Sequence, residues 1–197
     1  MYSVENITCP GCGARVRPEQ KTCEDCNAPV IITKISDIAT RTAQELTKYS
    51  KSYEKALAAN GESAEICNSL AVCYLQLGLY GKALERFDKA IEMDFNNPDT
   101  FLYAAVCVLK GRKPFLCSRP EINKAEEYIN AGLMAEENAM LRVLQAYVKY
   151  DYYSRKRLNT EPNYNAAFNY AQMGGASSEE IDNLFDLLKQ SRPDFMY

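Results

Sequence analysis

The chain has 197 residues, a quarter of them charged, a formal net charge of -3, eight cysteines and no histidine. So mild an acidic balance argues against general polyanion binding, because neutralising phosphates needs a surplus of lysine and arginine. The missing histidine excludes Ser-His and Cys-His catalysis and removes the ligand that most open catalytic zinc sites use.

The N-terminal "MYSVENIT" lacks the basic start and apolar stretch of a signal peptide. No run reaches the roughly 18 apolar residues of a membrane span. A reducing, cytoplasmic location and no membrane partner are expected. There, paired cysteines more often hold metal or do redox work than form disulfides.

Residues 9 to 26, "CPGCGARVRPEQKTCEDC", hold four cysteines as two C-x-x-C pairs, with ten residues between Cys12 and Cys23. A C-x-x-C turn lets two thiolates face one cation, and two such turns complete a tetrahedron around zinc. Cys9, Cys12, Cys23 and Cys26 are therefore the candidate zinc ligands, in a closed site with no position left for a reactive water. Gly13 follows the first pair and Asn27 the second. Both residue types tolerate the left-handed backbone that turns an N–H toward a metal-bound sulfur. Pro10 stiffens the first turn, and "VRPEQK" supplies turn residues between the pairs. A thioredoxin-like site needs one pair in a strand-helix context, and a disulfide pair conflicts with the expected compartment.

On these residues the stretch resembles the short "CPxCG…CxxC" zinc ribbons, over about residues 7 to 32, with Asn27 where a second glycine is usual. So short a module cannot bury a sufficient core, so the metal would supply much of its folding free energy. Ribbons often bind nucleic acid. Residues 1 to 32, however, set Arg15, Arg17 and Lys21 against Glu5, Glu19, Glu24 and Asp25, which is not the basic surface such binding needs.

From about Ile35 the spacing becomes helical. Residues 36 to 59 read as a degenerate repeat unit preceding the others, with one long helix as its alternative form, because no turn signal interrupts "TAQELTKYSKSYEKAL". Residues 53 to 57 align with 87 to 91 at an offset of 34, and Ala125, Ile129, Gly132 and Leu133 repeat that face at an offset of 42. The additional residues fall in the proline-bounded loop "KPFLCSRP", 113 to 120. A 34-residue period indicates stacked helix-turn-helix units. The best unit spans 64 to 97, with Gly78 and Gly81 framing its turn. The next, about 98 to 139, opens with an Asn97 cap and Pro98, and Ser118–Glu121 has capping-box spacing. A helix follows over 140 to 157, then 163 to 173 ended by Gly174-Gly175. The last, 178 to 190, stands behind Ser177–Glu180 with an Ile181, Leu184, Phe185 and Leu188 stripe.

Leu70, Ala71 and Tyr74, then Ala83, Phe87 and Ala90, make residues 64 to 97 resemble the tetratricopeptide repeat (TPR). Cys67 replaces the usual aromatic and Phe95 the usual proline. The resemblance implies a mainly α fold: a TPR-like right-handed α-solenoid of antiparallel helix pairs over 33–197, behind a zinc ribbon at 1–32. It also implies a groove lined by Asn68, Val72, Leu75, Gln76, Leu102, Val106 and Lys110. That groove would bind an apolar peptide or helix of a protein partner, unless the C-terminal helix of the chain fills it.

Cys67, Cys73 and Cys107 read as core residues, and Cys117, in the loop, as the most reactive of the remaining thiols. Residues 147 to 157, "YVKYDYYSRKR", could stack on bases, but read better as an amphipathic helix with a cationic C-terminal end. The loop around Phe115, Leu116 and Arg119 either contacts a partner or folds back onto the next repeat. The expected function is a non-catalytic cytoplasmic interaction adaptor. The alternative is a nucleic-acid-associated factor using the ribbon and 147–157.

Overall fold

A computed structural model describes residues 7–16 and 20–197. The first six residues, the turn residue Pro18, and Arg17 and Glu19 from the ribbon's charge balance lie outside them. The described chain is mainly helical, with eight α-helices and one small antiparallel ribbon. No described helix is long and apolar enough to cross a membrane. By backbone contact the chain divides into two compact units, Met1–Asp94 and Phe95–Tyr197. The composition boundary near residue 32 thus lies inside the first unit, which holds the cysteine cluster together with three helices.

In that unit, β1 (Ile7–Thr8) pairs with β2 (Arg15–Val16), Thr8 opposite Arg15. A 3-10 turn at Ile35–Ile38 precedes α1 (Ala43–Asn60), so the helix expected from residue 36 is in two pieces. A capping box sets the start of α1. Thr42 N donates to Glu45 Oε2 at 2.8 Å, and Glu45 N donates back to Thr42 Oγ1 at 3.3 Å. Ser63 caps α2 (Ala64–Gln76), and a three-residue turn leads to α3 (Tyr80–Met93). Gly78 holds that turn at φ 74°, a conformation that costs glycine little, whereas Gly81 lies within α3. Leu70, Ala71 and Tyr74 of α2 and Ala83, Phe87 and Ala90 of α3 are all buried. The small residues let the two helices approach, and Phe87 fills the space between them. Burying it contributes about 1.5–3 kcal/mol.

The second unit begins with α4 (Pro98–Leu109), where Asn97 Oδ1 accepts from Asp99 N at 3.1 Å. Every residue of α4 from Thr100 to Leu109 is buried, which makes it the central helix of this unit. The insertion forms a 3-10 turn at Pro114–Leu116 before α5 (Arg119–Ala135). Gly132 of α5 faces α4 and α6 (Ala139–Val148) so closely that a Cβ there would lie 2.8 Å from Phe101 Cβ and 2.7 Å from Leu141 Cδ1. The helix expected over 140–157 changes character after Val148. It passes through a π turn, Lys149–Tyr153, and a 3-10 turn, Ser154–Lys156. Two more helices follow, α7 (Tyr164–Met173), which packs on α6, and α8 (Ser178–Leu188). The α8 stripe of Ile181, Leu184, Phe185 and Leu188 is buried, and Phe185 meets Tyr147 edge-on at 5.0 Å.

Candidate metal centre

The two C-x-x-C segments fold into the same turn, 14 residues apart. Cys9 N donates to Ala14 O at 2.7 Å and Gly13 N to Cys9 O at 2.9 Å. In the second turn Cys23 N donates to Ala28 O and Asn27 N to Cys23 O, both at 2.9 Å. Gly13 has φ 84° and Asn27 φ 53°, so both residues adopt the left-handed backbone expected of them. The pairing of Thr8 with Arg15 recurs as a single bridge between Thr22 and Pro29. Local sequence thus builds each turn, and the fold brings the two face to face.

The four sulfurs lie within 4.8 Å of one another. Cys9 Sγ is 3.6 Å from Cys26 Sγ, and Cys12 Sγ is 3.7 Å from Cys23 Sγ. Sulfurs bound tetrahedrally at about 2.3 Å from a common ion stand about 3.8 Å apart, whereas a disulfide needs about 2.05 Å. The spacing therefore fits a shared cation, and all eight cysteines are free thiols. Cys9 and Cys23 are buried, while Cys12 and Cys26 face outward.

The thiols also perturb one another. Burial opposes ionisation of Cys9, but the N–H groups of Cys12 and Gly11 and the neighbouring thiols bring it down to about 7. The Ala14 N–H favours ionised Cys12, yet Cys26, burial, Cys23 and Cys9 together push it up to about 12. Burial leads the upward shift of Cys23. Four such groups crowd their negative charge unless a cation sits among them.

One residue of this centre escaped the sequence reading. Gly11 N donates to Cys9 Sγ at 3.3 Å. A Cβ on Gly11 would stand 2.9 Å from Ala28 Cβ and 3.3 Å from Cys26 Sγ. The glycine inside "CPGC" is what lets the second turn close over the first.

The seven residues expected to line a groove fall in different environments. Asn68, Val72, Leu75, Leu102 and Val106 are buried, Gln76 is half-buried and Lys110 is exposed. Asn68 Nδ2 donates to the carbonyl of Ile32 at 3.1 Å, and Lys110 Nζ pairs with Glu121 at 3.6 Å.

The 147–157 segment turns its chemistry inward. Tyr147, Tyr152 and Tyr153 are buried. Lys149 pairs with Glu126 at 2.7 Å, and Arg155 with Asp151 at 2.7 Å. Lys156 sits over the Tyr152 ring at 3.8 Å. The loop folds back on this segment, with Phe115 N donating to Asp151 Oδ2 at 2.8 Å and Arg155 over the Phe115 ring. Leu116 of the same loop is exposed, and Arg119 stacks over Tyr153. Cys117, expected to be reactive, is instead buried. Its Sγ lies 3.6 Å from Lys113 O, and burial pushes its thiol up.

No model of a known protein family matches the chain, and no curated protein is significantly similar to it.

Proposed function

We propose that this chain is a non-catalytic, cytoplasmic interaction adaptor. A zinc ion held by Cys9, Cys12, Cys23 and Cys26 stabilises its ribbon, and TPR-like helix pairs, α2–α3 and α4–α5, bind a peptide or helix of a protein partner as parts of a right-handed solenoid. The observation that carries this reading is the closed set of four thiols at tetrahedral spacing. Soft thiolates select zinc over hard cations, and four protein ligands leave no position for a substrate. Bound there, zinc supplies a structural crosslink. The chain's own residues orient it through the paired turns and the Gly11 N–H.

Support for the helical half comes from the buried small residues Ala83, Ala90, Ala125 and Gly132, which recur at the positions where the repeat pattern wants close helix approach. Against the nucleic-acid alternative, the tyrosines of 147–157 are mostly buried, and three of its four cations, Lys149, Arg155 and Lys156, engage internal partners. Two measurements test the proposal. Elemental analysis should find one zinc per chain, lost in Cys23→Ser/Cys26→Ser. Binding to single-stranded RNA should be absent near 150 mM salt, where a true phosphate binder still shows a steep salt slope. Purified protein without zinc, or with such a slope, overturns it.

A further inference from the structure

Both cysteine turns are tied to helices of the same unit. At the first turn, Lys48 Nζ of α1 donates to Gly11 O, and Ser52 Oγ of α1 donates to Thr8 O at 3.4 Å. The second turn is tied through the segment that leaves it. Cys23 N donates to Ala28 O at 2.9 Å and Val30 N to Lys21 O at 2.8 Å, so this segment starts inside the metal centre. Its main chain then bonds to two helices. Tyr53 Oη of α1 donates to Val30 O at 2.8 Å. From α2, Asn68 Nδ2 donates to Ile32 O at 3.1 Å, and Ser69 Oγ accepts from Ile32 N at 2.9 Å. Ser69 Oγ itself donates to Glu65 O at 2.7 Å, which leaves its lone pairs to the Ile32 amide.

Burial follows the same route. Val30 and Ile32 have no exposed surface, and neither does Tyr53, while Asn68 and Ser69 are buried beside them. A ribbon of this length cannot close an apolar core of its own. Val30 and Ile32 are instead buried where helix side chains hold their backbone, so ribbon and helices share one interior. An ion that binds only the folded centre stabilises whatever opens together with that centre. At a free concentration 100 times its dissociation constant, the gain is a factor of about 100.

We propose that the metal centre is a clasp for the helices: ion binding at the four cysteines stabilises α1 and α2 as well as the ribbon, because the three open as one cooperative unit. The ribbon is then a fixed part of the helical unit and not a free-standing recognition module. This rests on the reading of the cysteine cluster as a metal site and adds what that site does for the helices beside it.

Hydrogen exchange on the full chain tests the clasp, first with free zinc held at 100 times its dissociation constant and then after chelation, with metal content measured in both states. Chelation should speed exchange of the slowest α1 and α2 amides by about 100-fold, and restored zinc should reverse it. Acceleration confined to residues 7–33, with α1 and α2 unchanged, overturns the clasp, since the ribbon then opens alone. Ile32→Ala supplies a second readout, because it keeps all four thiols and weakens the shared interior. The variant should still bind one zinc per chain, while its α1 and α2 amides gain less than about tenfold protection from the metal. A gain equal to the parent's overturns this segment as the link. A chain that binds no metal overturns the reading beneath and the clasp with it, and elemental analysis tells that failure from the others.

Discussion

At the scale of single residues, the close approach at Gly132 sets a sharp test. A Cβ there would press on Phe101 Cβ at 2.8 Å and Leu141 Cδ1 at 2.7 Å. The Leu141 contact is to a side-chain tip that can yield, but the Phe101 contact is to the stem of the side chain. Gly132→Ala gains about 1 kcal/mol of helix propensity and meets an overpacking cost of about 1–3 kcal/mol. The expected net result is destabilisation by about 1 kcal/mol, read as a lower urea midpoint with an unchanged slope. Tyr49 sets the opposite test. It is buried on α1, and its hydroxyl finds no hydrogen-bond partner among the described residues. Removing an unpaired buried hydroxyl relieves its desolvation cost, so Tyr49→Phe should stabilise the fold by about 1 kcal/mol, again by urea unfolding. The small residue at 132 was legible in the sequence through the 42-residue offset, and so were the four thiols through their spacing. Gly11 and Tyr49 were not, because each matters through a contact made only when distant segments meet.

Elements begin where the sequence places caps, and this gives a pH dependence. Ser118 and Glu121 close the start of α5. The Ser118 N–H donates to Glu121 Oε2 at 2.9 Å, and Arg112 Nη2 donates to Oε1 at 2.5 Å. The Ser118 backbone N–H first, then Arg112, hold the Glu121 carboxyl down to about 2. A carboxyl lowered in the folded state stabilises it above the unfolded value, near 4.3, and that stabilisation fades as pH falls toward 2. Thermal melts should therefore show Glu121→Gln less stable than the parent at pH 7, with the gap closing between about pH 4.5 and 2. A gap independent of pH would assign the loss to something other than the charge. The caps at Ser118 and Ser177 could be read from sequence because each precedes a clear apolar stripe. The box at Thr42–Glu45 is equally present in "TAQE", but the mixed stretch "SDIATR" before it carries no glycine or proline to mark a break, so spacing alone starts the helix at residue 36. The π turn at Lys149–Tyr153 had no local signal. Its residues are held from elsewhere, Lys149 by Glu126 and Asp151 by the Phe115 N–H.

Across the whole molecule the eight cysteines divide into two populations, and counting them tests the fold and the site together. Cys67, Cys73, Cys107 and Cys117 are buried in the helical parts. Burial pushes Cys73 up to about 12 and raises Cys67 and Cys117, so few of these thiols are both reachable and ionised near neutral pH. The other four stand together at the candidate metal centre, where a bound cation would occupy the sulfur lone pairs an alkylating agent uses. Iodoacetamide at pH 8 should therefore modify the loaded protein slowly at every position. After chelation, mass mapping should find Cys9, Cys12, Cys23 and Cys26 modified, with the helical four reacting only in denaturant. Early modification of Cys117 would mean that the 113–120 loop opens far more readily than its contacts with Asp151 and Arg155 imply. Rapid modification of all four clustered thiols before chelation would mean that no cation holds them, and the proposed ribbon would then lack its crosslink.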